Sequence, residues 1–311
     1  MEGLSKFATL VSYGPHVSVL IVNYNSAQDT MQCIHALQQS TYSNFSVFLV
    51  DNASTDNSVL LLEEFIGAFP DHAMVAPDSL TESLLVPGKI VLVKSIHNGG
   101  FGFGNNLVLR HLSRWDAFVW LLNPDTLADK NAMAHLVKSA ISGKRKVLGT
   151  KVFSFSEPSR LLHIGAAKIN WNSGTIKPLA VEGLEIDYIY GGSLFTHSSV
   201  FREFGILPEH YFLYWEETDW CFSLKQNGVH LEVSAEAAVY DKVGGSIGRG
   251  YLAFFYYTRN SLLFIRKFRP EKVKYVLISN LLRSILRLIS GQPKISRAIL
   301  NGTYAYLKAL K

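Results

Sequence analysis

The sequence predicts an α/β protein with a mixed, mostly parallel, doubly wound sheet and a basic helical extension at its C-terminal end. Between residues 17 and 126, short β-branched apolar runs alternate with helical patterns, as in parallel strands joined by helices. The chain has 311 residues, of which 48% are apolar and 18% charged, so it can bury a large core and general disorder is excluded. Its two cysteines, Cys33 and Cys221, lie far apart. That spacing excludes a disulfide scaffold and a cysteine zinc site, and we expect a protein of the reducing cytoplasm.

The predicted elements follow one another in the order that a doubly wound sheet requires. Each predicted strand is a short run rich in Val, Ile, Leu and Phe that ends at polar residues. The strands cover residues 17–22, 45–50, 90–93 and 117–122, and the helices cover 27–39, 57–69 and a segment from about 105. Beyond residue 150 the pattern is mixed, with strands around 147–155, 166–170 and 188–196 and a helix over about 217–227. Helices follow from Gly250 onward, with interruptions at Pro270 and at 291–293.

Polar side chains end the four predicted parallel strands. They are Asn23, Asn25, Asp51, Asn52, Asn98 and Asp125. Sheets of this kind bind ligands outside the carboxyl ends of their strands, so we expect these side chains to gather around one ligand.

A glycine-rich segment, Asn98–Asn106, joins the third predicted strand to the helix that follows. Its four glycines would let backbone N–H groups approach a phosphate closely. The spacing matches neither the dinucleotide fingerprint nor a phosphate loop with Lys and Ser or Thr. Two interpretations stay open, a phosphate site and a tight structural turn.

Asp125 ends a very apolar strand. A carboxylate at this position could hold a hard cation that bridges two phosphates of a nucleotide. The alternative is a helix cap, because Asp125 and Thr126 could begin the following helix.

Three acidic residues, Glu216, Glu217 and Asp219, follow a run of aromatic side chains. Like charges this close repel one another, which raises at least one pKa. An enzyme that deprotonates a sugar hydroxyl needs a carboxylate at the wall of an apolar pocket, and this segment could supply it. The alternative is an acidic helix N-terminus stabilised by the helix dipole. The aromatic side chains either stack on sugar rings or belong to the core: Tyr211, Phe212, Tyr214, Trp215 and Trp220.

The net charge of +5 hides a strong asymmetry along the chain. Residues 1–248 carry 17 basic and 24 acidic side chains, whereas residues 249–311 carry 13 basic and one acidic, so the net charges are −7 and +12. Since no recognition motif accompanies this charge, we expect no nucleic-acid partner. Arg283 and Arg287 interrupt the apolar run at 281–289, which is too broken by charge to span a bilayer. The tail either lies on an anionic membrane surface or packs on the core or on a second subunit, as in a homodimer.

Six segments form an ordered set: Val17–Asn25, Val50–Asp56, the glycine-rich segment, Leu122–Thr126, Gly191–Ser193 and Trp215–Asp219. They occur in the order found in family 2 glycosyltransferases, and the chain resembles the rhamnosyltransferase-type branch of that family. The segment Tyr256–Asn260 is also similar to that branch. The resemblance covers roughly residues 16–268.

The resemblance implies a GT-A fold, a divalent Mg²⁺ or Mn²⁺ ion, and an inverting displacement at the anomeric carbon of a nucleotide-diphosphate-sugar donor. The sugar would be L-rhamnose, the nucleotide dTDP or UDP, and the acceptor a glycan or lipid-linked glycan in cell-surface polysaccharide synthesis. A lipid-linked acceptor would bring the basic tail to the inner face of the cell membrane. The chain then divides into an N-terminal extension (1–15), a GT-A domain (16–248, nucleotide-binding to about 126 and acceptor-binding from 127) and the basic tail (249–311).

The resemblance also implies roles for individual residues. Glu217 stands at the position of the general base, with Glu216 and Asp219 as alternatives, and Asp51 would contact the nucleobase. The donor would be bound by residues of four loops: Asn23, Tyr24, Asn25, Asp51, Asn52, Asn98, Gly99, Gly100, Phe103, Asn105, Asn123 and Asp125. The acceptor would be bound by Gly191, Gly192, Ser193 and Trp215, and the metal by Asp125 and Asp241.

Three positions depart from the family pattern. Asn123 stands at the first position of the usual Asp-x-Asp metal motif, which removes one formal charge. Relatives usually carry Asp where this chain has Glu217, and a metal-binding His where it has Asp241. Aspartate also ligates Mg²⁺ and Mn²⁺, so Asp241 could restore the charge that Asn123 lacks.

Two other functions share features with this pattern. A nucleotidyltransferase would use a similar sheet and metal, but it normally has a basic, glycine-rich loop after the first strand, where this chain has Asn23-Tyr24-Asn25. The second alternative is a catalytically weak nucleotide-sugar-binding module, since the departures at Asn123, Glu217 and Asp241 could abolish turnover.

Overall fold

A computed structural model describes residues 14–141, 143, 145–242 and 250–309. Most of the predicted N-terminal extension (1–15) and the predicted boundary between residues 248 and 249 lie outside the described residues. The described residues form thirteen strands and nine α-helices. The strands are β1 (Val17–Asn23), β2 (Phe45–Asp51), β3 (His72–Val75), β4 (Ile90–Lys94), β5 (Phe118–Leu122), β6 (Thr126–Ala128), β7 (Lys146–Ser154), β8 (Leu161–His163), β9 (Ala166–Asn170), β10 (Thr175–Pro178), β11 (Tyr188–Ile189), β12 (Ser193–His197) and β13 (His230–Asp241). The helices are α1 (Ala27–Gln38), α2 (Ser58–Gly67), α3 (Phe101–Leu112), α4 (Ala132–Ala140), α5 (Ser198–Phe204), α6 (Glu216–Gln226), α7 (Tyr251–Phe268), α8 (Val273–Ile289) and α9 (Pro293–Lys308).

Ten of the strands form one mixed sheet in the order β3-β4-β2-β1-β5-β12-β7-β13-β6, with β8 paired to β7. Strands β3, β4, β2, β1 and β5 run parallel to one another. β12 runs antiparallel between β5 and β7, and β13 runs parallel to β7. Strands β9, β10 and β11 form a separate antiparallel sheet. The predicted α/β fold with a mixed, mostly parallel sheet is confirmed.

Helices cover both faces of the main sheet, which explains the apolar runs of its central strands. In β1, Val19 and Ile21 belong to the core on one face, together with Ile34 of α1. Leu20 belongs to the core on the other face, together with Leu109 of α3. Because β4, β2, β1 and β5 are parallel neighbours, their carboxyl ends meet at one edge of the sheet.

Three predicted element boundaries differ from the structure. The helix expected from about residue 105 begins at Phe101, so α3 includes most of the glycine-rich segment. Thr126 begins β6, which pairs with β13, so the helix-cap interpretation of Asp125 is wrong. The strand expected over 188–196 is divided into β11 and β12, with Gly191 and Gly192 between them.

The C-terminal helices pack on the sheet domain and on one another. α9 packs along both α7 and α8. In α7, buried Asn260 donates hydrogen bonds to the carbonyl oxygens of Tyr211 and Leu213, each at 2.8 Å. Tyr257 Oη accepts a hydrogen bond from the amide of Ile176 at 3.0 Å. Helix α7 therefore stabilises the chain segment that leads into the acidic segment 216–219. Among the described residues, no helix is both long enough and apolar enough to cross a membrane.

Candidate active site

A cavity of about 410 Å³, which we call the first cavity, lies where the parallel strands end. Seven of the residues predicted to bind a donor line it, and they come from the loops after β1, β2, β4 and β5: Tyr24, Asn25, Asn52, Asn98, Gly100, Asn123 and Asp125. The structure therefore brings together the four predicted strand ends.

Asn23 and Asp51 are buried and join the loops after β1 and β2. Asn23 Nδ2 donates to Asp51 Oδ1 at 2.8 Å. Asp51, which is 1% exposed, also accepts hydrogen bonds from the hydroxyl and the amide of Ser54, at 2.6 and 3.0 Å. Asn25 has a φ of 54° and accepts from the amide of Thr55 at 2.8 Å. Asn23 and Asp51 are not among the residues that line the first cavity. Their side chains hydrogen-bond to other residues of the two loops and so hold these loops together.

The glycine-rich segment packs against the acidic segment at the start of α3. Gly100 has a φ of 91°, and a Cβ atom there would lie 1.9 Å from the carbonyl oxygen of Phe212, so only glycine permits this approach. The amide of Phe101 donates to that oxygen at 2.9 Å, and the amide of Gly100 donates to Asn98 Oδ1 at 2.9 Å. These contacts explain Gly100 as part of a tight structural turn. The other predicted donor residues of the segment are not among those that line the cavity: Gly99, Phe103 and Asn105.

The chain enters α6 through a strained turn. Three of the four residues before α6 have φ between 64° and 79°: Phe212, Tyr214 and Trp215. Residues with side chains seldom adopt this left-handed region, and such strain is often found at functional sites. Asn260 stabilises the turn because its amide group donates hydrogen bonds of 2.8 to 3.0 Å to three carbonyl oxygens within it. The turn places Glu216 and Glu217 at the first positions of α6.

A second cavity, of about 550 Å³, is lined by all four residues predicted to bind an acceptor: Gly191, Gly192, Ser193 and Trp215. It is also lined by side chains that the sequence interpretation did not assign to a site, among them His163, Tyr188, Tyr190, Tyr257 and Arg283. Tyr257 lies in the Tyr256–Asn260 segment, so the family resemblance did point towards it. Arg283 is recognisable in the sequence only as a charge that interrupts an apolar run.

Glu216, Glu217 and Asp219 have three different environments. Glu216 lines the first cavity, whereas Glu217 lines both cavities. Each of these two glutamates has one carboxylate oxygen that is buried without a hydrogen-bond partner. Asp219 is not among the lining residues, and it accepts hydrogen bonds from the hydroxyl of Tyr211 at 2.7 Å and from Lys267 Nζ at 2.6 Å. Glu217 is therefore the acid of this segment that the two cavities share.

Burial raises the pKa of both glutamic acids. The pKa of Glu216 lies well above its usual value because of burial and then because of the negative charge of Glu217. Burial also raises the pKa of Glu217 to about 7, although the backbone amides of Glu217, Gly191 and Thr218 act in the opposite direction. A carboxyl group with a pKa near 7 is well matched to proton transfer at neutral pH.

Six buried polar side-chain atoms that lack a hydrogen-bond partner belong to residues that line the two cavities. They are Asn52 Oδ1, Trp215 Nε1, Glu216 Oε2, Glu217 Oε2, Thr218 Oγ1 and Arg283 Nε. Burying a polar group is costly unless it is hydrogen-bonded. Their concentration around these cavities therefore indicates sites for polar ligands.

Asp125 and Asp241 lie on neighbouring stretches of chain but line different cavities. Asp241 pairs with Thr126, the residue after Asp125, and the amide of Lys242 donates to the Asp125 carbonyl oxygen at 3.5 Å. Asp125 lines the first cavity and Asp241 the second. Within the described ranges, no group of three or more His, Cys, Asp and Glu side chains could hold a metal ion. Asp125, as a single carboxylate at the first cavity, fits Mg²⁺ or Mn²⁺ that also binds phosphates of a ligand, because Mg²⁺ is usually held by one or two carboxylates.

Comparison with known proteins gives a family match over most of the sheet domain. The family described as Glycosyl transferase family 2 matches residues 18–205. Among curated proteins, the chain is 22% identical over 212 residues to the low-salt glycan biosynthesis hexosyltransferase Agl10 of Haloferax volcanii. That match covers 63% of this chain and 66% of the relative, so the chain spans just under two thirds of the relative's length.

Solved structures with a similar fold are glycosyltransferases. GalNAc-T7, solved with UDP, GalNAc and Mn²⁺, has a TM-score of 0.61 at 14% identity, and the match covers 86% of this chain and 54% of that one. The mannosyltransferase PcManGT from Pyrobaculum calidifontis, in complex with GDP-Man and Mn²⁺, has a TM-score of 0.58 at 11% identity, over 94% and 87% of the two chains. At these identities the likeness concerns the fold, and the predicted GT-A fold is confirmed.

Proposed function

The chain belongs to glycosyl transferase family 2, and on that basis we propose that it transfers a sugar from a nucleotide-diphosphate donor in the first cavity to an acceptor hydroxyl in the second. The observation that supports this most is that Glu217 lines both cavities and has one buried carboxylate oxygen without a hydrogen-bond partner. Donor and acceptor would meet beside a group that can take up a proton.

In the proposed reaction, the acceptor oxygen attacks the anomeric carbon of the donor sugar. The new carbon–oxygen bond forms on the face opposite the leaving group, so the anomeric configuration inverts. The bond from the anomeric carbon to the phosphate oxygen breaks, and the nucleoside diphosphate leaves with the bonding electrons. The acceptor's proton moves to the carboxylate of Glu217, whose raised pKa makes it a stronger base than an ordinary glutamate.

On the donor side, Asp125 is proposed to hold a divalent cation, with Asp241 on the neighbouring strand as a second carboxylate. Mg²⁺ or Mn²⁺ bound there would neutralise the negative charge that develops on the departing diphosphate. The Mn²⁺ in the two solved relatives supports a divalent ion here. Glu216 would stay neutral beside the diphosphate because its pKa is raised, and so it would not repel the donor.

The proposed sugar is a hexose, with L-rhamnose as the first candidate and dTDP or UDP as the nucleotide. The order of the sequence motifs supports rhamnose. The similarity to a protein named as a glycan biosynthesis hexosyltransferase supports a hexose and a glycan acceptor.

The acceptor is proposed to be lipid-linked, because the C-terminal helices offer a membrane-binding surface. Leu281, Leu282 and Leu286 of α8 are 53–61% exposed, whereas Asn280 and Ser284 of the same helix are buried. An exposed apolar face beside basic residues favours peripheral binding to anionic lipid. The protein would then work at the inner face of the cell membrane.

A donor screen with the full chain tests the proposed function. We would incubate it with dTDP-L-rhamnose, UDP-hexoses or GDP-mannose, with and without Mg²⁺ or Mn²⁺, and measure nucleoside diphosphate release with and without glycan acceptors. We expect release from one donor that increases when an acceptor is present, and a product with the opposite anomeric configuration. Donor binding without release would instead identify a binding module, and release of sugar 1-phosphate in place of the nucleoside diphosphate would identify a nucleotidyltransferase.

A further inference from the structure

Arg283 is a largely buried cation at the second cavity. It lies on α8 and lines the cavity, its Nη2 donates to Asn280 Oδ1, and its Nε is buried without a hydrogen-bond partner. Burial lowers the pKa of the guanidinium, Tyr257 acts in the opposite direction, and the positive charge of Arg287 adds to the lowering. Among the described residues, no acidic side chain forms an ion pair with Arg283.

A buried guanidinium without a counter-ion is unfavourable, because arginine keeps its proton and cannot become neutral as a buried lysine can. Its planar set of N–H donors matches a phosphate or carboxylate through two parallel hydrogen bonds. An anionic group in the cavity would therefore balance the charge of Arg283.

We propose that Arg283 forms an anion subsite of the second cavity that binds a phosphate or carboxylate group of the acceptor. That the ligand is the acceptor rests on the proposed function, whereas the negative charge of the ligand follows from the surroundings of Arg283. A neutral ligand would leave the guanidinium unpaired, so the subsite selects acidic acceptors over neutral ones.

Tyr190 and Tyr257 line the second cavity together with Arg283 and Glu217. A ligand that fills this cavity would contact Arg283 through its anionic group and Glu217 through its reacting hydroxyl. The aromatic rings of Tyr190 and Tyr257 suit the faces of a sugar.

Isothermal titration of the full chain with three small probes tests the subsite. Glucose 1-phosphate supplies a phosphate, glucuronate supplies a carboxylate, and methyl glucoside is the neutral comparison. The variants are Arg283→Gln and Arg283→Lys. Arg287→Gln is the matched control, because it removes a positive charge one helical turn after Arg283. Arg287 is not among the residues that line the cavity, and it donates a hydrogen bond to Gln292.

We expect an anionic probe to bind the wild-type chain at least ~10-fold more tightly than methyl glucoside. Arg283→Gln should weaken binding of that probe by about 10- to 100-fold, the usual size for hydrogen bonds to a charged group, and should leave methyl glucoside unaffected. The affinity of Arg283→Lys for the anionic probe should lie between those of the wild type and Arg283→Gln. Arg287→Gln should bind the probe as the wild type does. The probe that binds more tightly identifies the anion as phosphate or carboxylate.

Equal affinity of the wild-type chain for charged and neutral probes would overturn the proposal, and this comparison needs no variant. An equal loss in Arg287→Gln and Arg283→Gln would also overturn it. Because these measurements require no turnover, they separate the subsite from the proposed reaction. A chain that transfers sugar without Arg283-dependent anion binding rejects the subsite alone, and a chain that binds anions through Arg283 but releases no nucleoside diphosphate rejects the reaction alone.

Discussion

At the scale of single residues, the surroundings of three neighbouring acids differ more than their sequence positions suggest. Asp219 is balanced by Lys267 and hydrogen-bonded to Tyr211. Glu217 has a free carboxylate oxygen at the wall of both cavities. The sequence places these acids within three positions of each other, so it predicts an acidic site but cannot distinguish the member that faces a ligand.

Replacing Glu217 by Gln tests its role as the base. The amide is nearly the same size but cannot accept the acceptor's proton. We expect transfer at least ~100-fold slower with donor affinity unchanged, measured as nucleoside diphosphate release and as donor Kd. Asp219→Asn is the matched control and should keep the transfer rate within a few-fold of wild type. Near-normal turnover in Glu217→Gln would move the role of base to Glu216.

The raised pKa of Glu217 predicts opposite pH dependences for rate and for stability. Because the base must be ionised, the rate should fall as the pH drops below about 7. The folded chain keeps the proton of Glu217 to a higher pH than the unfolded chain does. Its contribution to stability is therefore complete below pH 4.5 and is lost as the pH rises through about 7. Glu217→Gln removes this loss, so calorimetry should give a higher Tm than wild type at pH 8 and a similar Tm at pH 4. Equal Tm values at pH 8 would contradict a buried, ionised Glu217.

Asp125→Asn tests the metal-dependent part of donor binding. The neutral amide keeps the shape of the side chain but removes the charge that attracts a divalent cation. We expect the donor Kd measured with Mn²⁺ to rise to the value measured without metal. Asp71→Asn removes the same charge from an exposed residue that is not among those lining either cavity, and it should leave the effect of Mn²⁺ unchanged. A donor affinity that still responds to Mn²⁺ in Asp125→Asn would exclude this role for Asp125.

At the scale of elements, α7 supports the acidic segment through Asn260. This side chain is fully buried and donates to three carbonyl oxygens of the strained turn before α6. An amide NH2 group has two hydrogens, so one of them is shared between two of these oxygens. Asn260→Ala loses all three contacts and should lower the free energy of unfolding by about 2 kcal/mol, at ~1 kcal/mol for each N–H. Urea denaturation measures the loss.

A matched control for Asn260 lies in α9. Asn301 donates a single hydrogen bond, to Tyr251 Oη at 2.7 Å, at a more exposed position. Asn301→Ala should lower the free energy of unfolding by less than about 1 kcal/mol. If the two alanine variants lose equal stability, Asn260 does not hold the turn as the structure suggests.

Elements that depend on local pattern were predicted closely from the sequence, whereas elements that depend on distant partners were not. β1 was expected at residues 17–22 and lies at Val17–Asn23, and α1 was expected at 27–39 and lies at Ala27–Gln38. The twelve-residue β13 was not predicted. Its alternating exposed residues give no continuous apolar run, and it is held by pairing with β7 and β6. Pairing of this kind is decided by the whole sheet and not by the strand's own residues.

At the scale of the whole molecule, the first cavity was predictable from topology, whereas the second was predictable only in part. The four residues expected to bind an acceptor line it, but Arg283 was not expected there. The first cavity follows from one topological rule, because neighbouring parallel strands end at the same edge of the sheet. The second cavity joins residues that lie far apart in the sequence, from Asn123 to Arg283, and its lining includes side chains of β8, α6, α7 and α8. No periodicity in the chain specifies how α7 and α8 pack on the sheet domain, so the sequence could not place Arg283 beside a site.

Helix α8 exposes apolar side chains and buries polar ones, which is the reverse of what is usual for a surface helix of a globular protein. Its apolar side chains recur three or four residues apart on one exposed face: Ile278, Leu281, Leu282, Ile285, Leu286 and Ile289. Lys274 shares the helical spacing of this face, and exposed Arg297 and Lys308 lie on α9 beside exposed Leu300 and Tyr304. Apolar side chains flanked by cations, in a segment with a net charge of +12, match an anionic lipid surface.

Co-sedimentation with vesicles tests this face of α8. We expect the full chain to bind phosphatidylcholine vesicles that contain phosphatidylglycerol much more strongly than vesicles of phosphatidylcholine alone. The double change Leu282→Glu and Leu286→Glu should weaken binding at least ~10-fold, because burying one leucine side chain contributes about 1.5–3 kcal/mol. Leu60→Glu in α2, at a position that is 69% exposed, is the matched control and should bind as the wild type does. Unchanged binding in the double variant would contradict a lipid-facing α8, and a lipid-free dimer that the same two changes dissociate would show that a second copy of the chain covers this face instead.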